Sequence, residues 1–203
     1  EAGDLRKLEV GAIVFSGGTA YFNPDESKNI YGYRTNPSVI TSLELERLLS
    51  GTGPTQGRLV RPHDGKNIER IAWIQCVGSR DAQYNADYCS SVCCMVAIKE
   101  AMLVIEKSPS PVDTAIFYMD MRTFGKSFQR YRDSAEQEHG VRFERARIHS
   151  ITADVASGNP VIRYVQTDGS IHNETFDLVV LAVGQRPARG IKELSKLIDA
   201  SLN

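Results

Sequence analysis

The chain has 203 residues, 41% of them hydrophobic and 24% charged, and its 24 Lys and Arg are balanced by 25 Asp and Glu. That length buries a substantial core without disulfide staples, and the charge balance argues against a broad footprint for nucleic acid or an anionic membrane. The apolar run Leu178 to Val183 is too short to span a bilayer, and Glu1-Ala2-Gly3-Asp4 lacks the basic and apolar regions of a signal peptide, so a cytoplasmic protein with no membrane insertion is the expectation.

In chain order, Val10 to Phe15 reads as a strand ending in Ser16-Gly17-Gly18, followed by a long loop rich in Asn, Pro, Gly and Tyr. Thr41 with Glu44 forms a capping box for a short helix through Leu49, stopped by Gly51. Gly51, Gly53 and Gly57 follow that helix in a plain connecting loop. Arg70 to Gln75 has the continuous apolar character of a buried strand; Cys76 ends it and Gly78-Ser79 begins a turn. From about Ser90 to Glu106 the residues are helix formers without Gly or Pro. A helix beginning near Cys89 would set Cys89 and Cys93 on one face of its first turn, with Cys94 rotated by about 100°.

Thr114 to Met119 is a second apolar strand, followed by Asp120 and a basic turn at Arg122. A helix is expected from about Lys126 to Glu138, ended by Gly140, and then a strand from Val141 to Ile148. Two alternating segments around Asn159-Pro160 and Asp168-Gly169 form a β-meander, and Leu178 to Val183 is a final strand ending at Gly184. The order βαβαβ, meander, β predicts an α/β fold: a Rossmann-like dinucleotide-binding domain with an antiparallel β-meander, plus part of a second, FAD-type domain. The expected boundaries are residues 1–66 for the partial second domain with its connecting loop and helix, 67–186 for the Rossmann-like domain, and 187–203 for a connecting helix.

The four cysteines, Cys76, Cys89, Cys93 and Cys94, fall within 19 consecutive positions. Adjacent Cys93 and Cys94 are poorly placed to bridge each other. Four thiolates in one neighbourhood suit zinc or an iron–sulfur cluster. Structural zinc sites use paired short knuckles, and the second knuckle is missing here; the vicinal pair is easier to seat around the larger faces of a four-iron cube. The pattern therefore favours a [4Fe-4S] cluster over zinc, with a dithiol–disulfide centre third and a chance cluster of core cysteines as the plain alternative.

A nucleotide-binding βαβ unit carries G-x-G-x-x-G after its first strand. Here that place reads Cys76-Val77-Gly78-Ser79-Arg80-Asp81, with one glycine. Direct NAD(P) binding is not expected, and the cysteine site stands where the phosphate turn would be.

Four separated runs resemble one family: Val39-Ile40-Thr41-Ser42-Leu43-Glu44; Ile74 to Asp81; Tyr88-Cys89-Ser90 with Val92-Cys93-Cys94-Met95; and Phe117-Tyr118-Met119-Asp120. They resemble the A subunits of heterodisulfide reductase and related flavoprotein subunits, over residues 10–187. The resemblance implies that Cys76, Cys89, Cys93 and Cys94 ligate one [4Fe-4S] cluster close to an FAD. It implies electron relay between FAD and clusters, in some members by bifurcation, with partner subunits of a heterodisulfide-reductase-like complex and ferredoxin-type carriers. Two departures matter. The family's N-terminal G-x-G-x-x-G and its ferredoxin-type cysteine motifs do not occur in this chain, which reads as a central fragment, inactive alone and without FAD of its own. Relatives usually carry Ala-Thr-Gly where this chain has Ser16-Gly17-Gly18; with Gly78 and Gly184 these are the cofactor-binding candidates. No residue is assigned a catalytic role. A docking domain holding a structural zinc is the alternative function.

His63, His139, His149 and His172 are scattered and read as ordinary surface or packing residues. Asn173-Glu174-Thr175 matches a glycosylation sequon by chance, and no G-x-S-x-G elbow supports a hydrolase. Arg122, Lys126, Arg130 and Arg132 read first as a solvated helix face, with docking of an acidic partner or a nucleotide phosphate as the functional alternative. Tyr31 and Tyr33 read as loop packing, with flavin contact as the alternative.

Overall fold

The computed structural model describes residues 6–26 and 30–199. Its elements in chain order are β1 (Thr19–Tyr21), β2 (Val39–Thr41), α1 (Ser42–Leu49), β3 (Arg70–Val77), α2 (Cys93–Lys107), β4 (Asp113–Tyr118), α3 (Phe128–Gln137), β5 (Arg142–Arg145), β6 (Arg147–Ala153), β7 (Pro160–Val165), β8 (Ile171–Thr175), β9 (Leu178–Val183), β10 (Gln185–Pro187) and α4 (Ile191–Leu197). Residues 21–185 form one compact unit, and residues 1–20 with 186–203 form another. Strands β1 and β10 pair as a two-stranded sheet.

The larger unit is built on a parallel sheet of order β2-β9-β3-β4-β5. Strands β3 and β9 are central and covered on both faces, which is why their sequences are nearly continuous apolar runs. Alternation sends Ile71, Trp73, Ile116 and Val180 toward α1 and α2, while Ala72, Ile74, Phe117 and Leu181 face the meander residues Ile162, Tyr164 and Phe176. The meander is the antiparallel sheet β6-β7-β8. The βαβαβ order, meander and closing strand are those expected from the sequence.

Several expectations are corrected. Val10 to Phe15 is not a strand: the segment is irregular, with Val10, Ile13 and Val14 well exposed. An apolar run becomes a strand only where a neighbour completes its ladder, and none pairs with it among the described residues. The long helix begins at Cys93, several residues later than expected, because Ser91 adopts a left-handed backbone (φ 63°) that a helix cannot contain. Cys89 therefore sits in the preceding loop and not on the first turn. The expected strand Val141 to Ile148 is two strands in two sheets, broken at buried Ala146, whose N–H donates to Tyr118 O. The helix expected over 126–138 covers Phe128–Gln137, starting late after left-handed Ser127. The capping box is present as read: Glu44 N–H donates to Thr41 Oγ1 at 3.3 Å, and Thr41 N–H to Glu44 Oε2 at 2.7 Å. Residues 200–203 and 1–5 lie outside the described residues.

Candidate functional site

The four cysteines meet at the carboxyl end of the parallel sheet, where open α/β sheets place their ligands. Cys76 lies in an irregularity of β3, whose register against β9 shifts between Ile74 and Val77. Its backbone is left-handed (φ 62°), uncommon for a side-chain-bearing residue and characteristic of functional turns. Cys93 and Cys94 open α2 and are buried, while Cys76 and Cys89 are partly exposed, and all four are free thiols.

The loop between β3 and α2 is held by two serines. Buried Ser79 contacts Tyr88 O and Ser90 Oγ, both at 3.1 Å, and Ser90 Oγ accepts the Gln185 N–H at 2.9 Å. Asp81 and Ala86 exchange backbone hydrogen bonds, and Asp81 caps the short turn Ala82–Tyr84. This brace brings Cys89 back over the end of β3.

Burial pushes the Cys76 thiol up to about 11, and Cys94, Cys93 and Cys89 add to the rise. Burial raises Cys93 and Cys94 as well, with neighbouring thiols again contributing. The Ser91 N–H donates to Cys89 Sγ at 3.3 Å, and the Arg80 side chain, the Ser90 hydroxyl and the Arg122 backbone lie near Cys76, Cys93 and Cys94 respectively. Donors aimed at sulfur favour the thiolate and tune any metal group it holds. Arg80 and Arg122 both pair with Asp120, leaving the site one net cation to set against thiolates.

Gln75, next to Cys76, is nine-tenths buried, and neither its amide nitrogen nor its oxygen has a partner; the Nε of Arg122 is also unpartnered. Buried polar groups are rarely left so. Among the described residues no three His, Cys, Asp or Glu side chains close tightly enough on one point to hold a metal ion. The thiols are nonetheless near enough to raise one another's protonation, so they form a looser group. A single zinc would have to draw them to about 2.3 Å from one atom, whereas a four-iron cluster spans a wider set of thiolates. Four sulfur donors are a ligand set that either group uses.

The glycine candidates separate into two groups. Gly78 and Gly184 come together under the cysteine loop: a Cβ on Gly184 would lie 2.7 Å from Ser79 Cβ and 2.9 Å from Gly78 O, and one on Gly78 (φ 67°) would enter the Phe22 ring. Both are needed for close backbone approach. Ser16 and Gly17 belong to the smaller unit, where they line a cavity of about 370 Å³ with Ala188, Gly190 and Leu194; Gly18 has φ 75°. Tyr33 is buried and donates to Glu44 Oε1 at 3.2 Å, while Tyr31 lines a cavity of about 440 Å³ beside Cys76, with Phe22, Tyr84 and Tyr118. Of the histidines, His63 lies 3.6 Å from Asp64 and His172 stacks on Tyr164. Sequence reasoning missed Gln75, Arg80 and Ser90, and read Arg122 first as part of a solvated helix face. An Arg or Asp closing an apolar strand was the available signal for Arg80 and Asp120; contact through the Arg122 backbone leaves no trace in residue type.

No family model matches the chain. It is 43% identical over 199 residues to the second CoB–CoM heterodisulfide reductase iron-sulfur A subunit of Methanopyrus kandleri, covering 98% of this chain and 30% of that protein. The chain is a homologue of one segment of the heterodisulfide reductase A subunits. The counterpart in Methanocaldococcus jannaschii is 41% identical over 198 residues, 97% of this chain and 30% of that one. The A subunit of the H2:CoB–CoM heterodisulfide,ferredoxin reductase of Methanothermobacter thermautotrophicus is 37% identical over 199 residues, 96% and 29%. The chain thus spans about 30% of the length of the relatives it matches first. Among solved structures, a 2-naphthoyl-CoA reductase complex aligns with TM-score 0.51 at 14% identity, over 89% of this chain and 21% of that one, a likeness of fold. Among the described residues no helix is long and apolar enough to cross a membrane.

Proposed function

We propose that this chain is the electron-transfer segment of a flavin and iron–sulfur oxidoreductase, of the kind to which the heterodisulfide reductase A subunits belong, with Cys76, Cys89, Cys93 and Cys94 holding one [4Fe-4S] cluster. The observation that carries this reading is the placing of four free cysteines at the end of β3, in the loop that follows it and at the start of α2. When bound, such a cluster supplies one-electron transfer at a potential set by its charge and hydrogen bonds. The protein's part is to position and tune. The serine brace holds the Cys89 loop against β3, the start of α2 turns its free N–H groups and positive dipole end toward anionic sulfurs, and Arg80 and Arg122 offset negative charge. Homology to iron-sulfur subunits supports the same reading.

In the whole protein the cluster would exchange electrons with an FAD and with partner subunits and ferredoxin-type carriers. The turns Ser16-Gly17-Gly18, Gly78 and Gly184 would serve the dinucleotide cofactor. Residues 67–186 would act as the cluster-bearing domain, while the segment alone turns over no substrate.

The test is anaerobic reconstitution with iron and sulfide, followed by metal analysis and visible spectroscopy. About four irons per chain, a broad absorption that bleaches on reduction, and loss of both in Cys94→Ser are expected. One zinc per chain, or none of these metals, would replace the reading with a docking domain.

A further inference from the structure

The basic stretch after β4 does not behave as one solvated face. Arg132 is turned inward, paired with Asp133 and Glu136 and stacked over Phe143, so it belongs to the packing of α3. Lys126 and Arg130 are exposed, and among the described residues neither pairs with a carboxylate. Between and beside them stand three exposed aromatic rings: Phe124, which is 79% exposed, Phe128 and Tyr131. The rings are held in place. Gly125 lies so close beneath Phe128 that a Cβ there would sit 2.4 Å from its ring, and the Arg122 guanidinium covers Phe124 at 5.7 Å. Burying such rings is favourable, so three exposed together with free cations mark a contact surface.

The location narrows the partner. Arg122, whose side chain covers Phe124, pairs with Asp120, and Asp120 pairs with Arg80 of the loop between Cys76 and Cys89. The patch and the cysteine loop are thus joined through one carboxylate. The amino end of α3, a ten-residue helix, adds positive potential. The whole chain carries a formal charge of −1, so the local positive field is a property of the patch. Exposed aromatic rings interleaved in sequence with exposed cations suit brief, electrostatically steered docking of an acidic protein.

We propose that Phe124, Lys126, Phe128, Arg130 and Tyr131 form the docking surface for a small acidic electron carrier, which exchanges one electron with the centre at Cys94. The assignment rests on the electron-transfer reading for its purpose but not for its surface. The probe is a small acidic [2Fe-2S] ferredoxin, titrated calorimetrically into the chain at low and high salt, with and without reconstituted iron. Wild type binds, and more weakly as salt rises. Lys126→Glu with Arg130→Glu lowers affinity about tenfold and flattens the salt dependence. Phe124→Ser weakens binding with the salt slope retained. Neither variant alters iron content, visible spectrum or circular dichroism. No binding by wild type, or equal affinity and salt slope in the charge-reversed variant, overturns the proposal. Binding that follows the patch in a chain that never takes up iron keeps the surface and removes the cluster reading instead.

Discussion

The two ends of the central sheet treat their charged groups differently. At the amino ends the charges are answered. Asp177 accepts the N–H groups of Glu69 and Arg70 at 2.9 Å each and the Asn159 amide at 3.0 Å, while Arg70 reaches Asp113 and Thr175 O, and Arg142 grips Glu174. At the carboxyl ends Gln75 and Arg122 Nε lack partners, and at the amino ends the uncharged hydroxyl of buried Thr114 lacks one too. Among the described residues, four of the eight side-chain-bearing positions with positive φ, namely Cys76, Arg80, Asn85 and Ser91, fall between 76 and 91. Satisfied networks hold a fold; strain and unanswered polarity accumulate where a ligand is to be received.

Ionisation follows the same division. Burial acts to raise Glu174, but the Arg142 hydrogen bonds and Tyr164 outweigh it and hold the carboxyl below its usual range. Toward the other end, burial pushes Glu100 up to about 8, with the Trp73 indole N–H (2.7 Å) as the main influence against it; Glu100 shares a cavity of about 230 Å³ with Cys93 and Val183.

The sharpest test of this contrast is Glu100→Gln, which keeps an acceptor for Trp73. A carboxyl raised on folding contributes stability below its unfolded value near 4.5 and loses it as pH rises toward 8. The variant should match wild type near pH 5 and exceed it at pH 8 by on the order of 3 kcal/mol in urea denaturation. Parallel pH profiles would break the comparison. The opposite sign holds for Glu174, whose stability is present above the unfolded carboxylate value and lost as pH falls through the depressed one.

Gly184→Ala should cost about 1–3 kcal/mol by crowding Ser79 and Gly78, and should also lower iron uptake by moving the cysteine loop. Stability lost with uptake intact would separate the glycine from the site. Asp177→Ala should be the mildest, about 1–2 kcal/mol from two unanswered N–H groups. Its iron content should equal wild type, because the damage is confined to the amino ends; a drop in iron would show the two ends to be coupled.

Much of the larger unit was legible in the residues. Thr41 and Glu44 announce a helix start because their capping bonds span three residues, and Leu178 to Val183 announces a doubly covered strand because all six residues are buried. The site was legible only as a group of cysteines. Cys89 was expected on the helix because nothing in Ser90-Ser91-Val92 forbids it; the left-handed Ser91 accompanies the Ser79–Ser90 contact, which joins residues eleven apart. Val10 to Phe15 has strand composition, yet a strand exists only with a partner, which composition does not provide.

By itself, then, the sequence determined the βαβαβ order with its meander, the close grouping of four thiols and the loss of the phosphate-binding glycines, since these follow from periodicity and residue type. Only the tertiary structure decided that Ser79 braces Ser90, that Gln75 stays unanswered beside Cys76, and that Arg132 turns inward over Phe143. Those facts depend on segments separated in the chain coming to lie against the same sheet, and no local pattern encodes that approach.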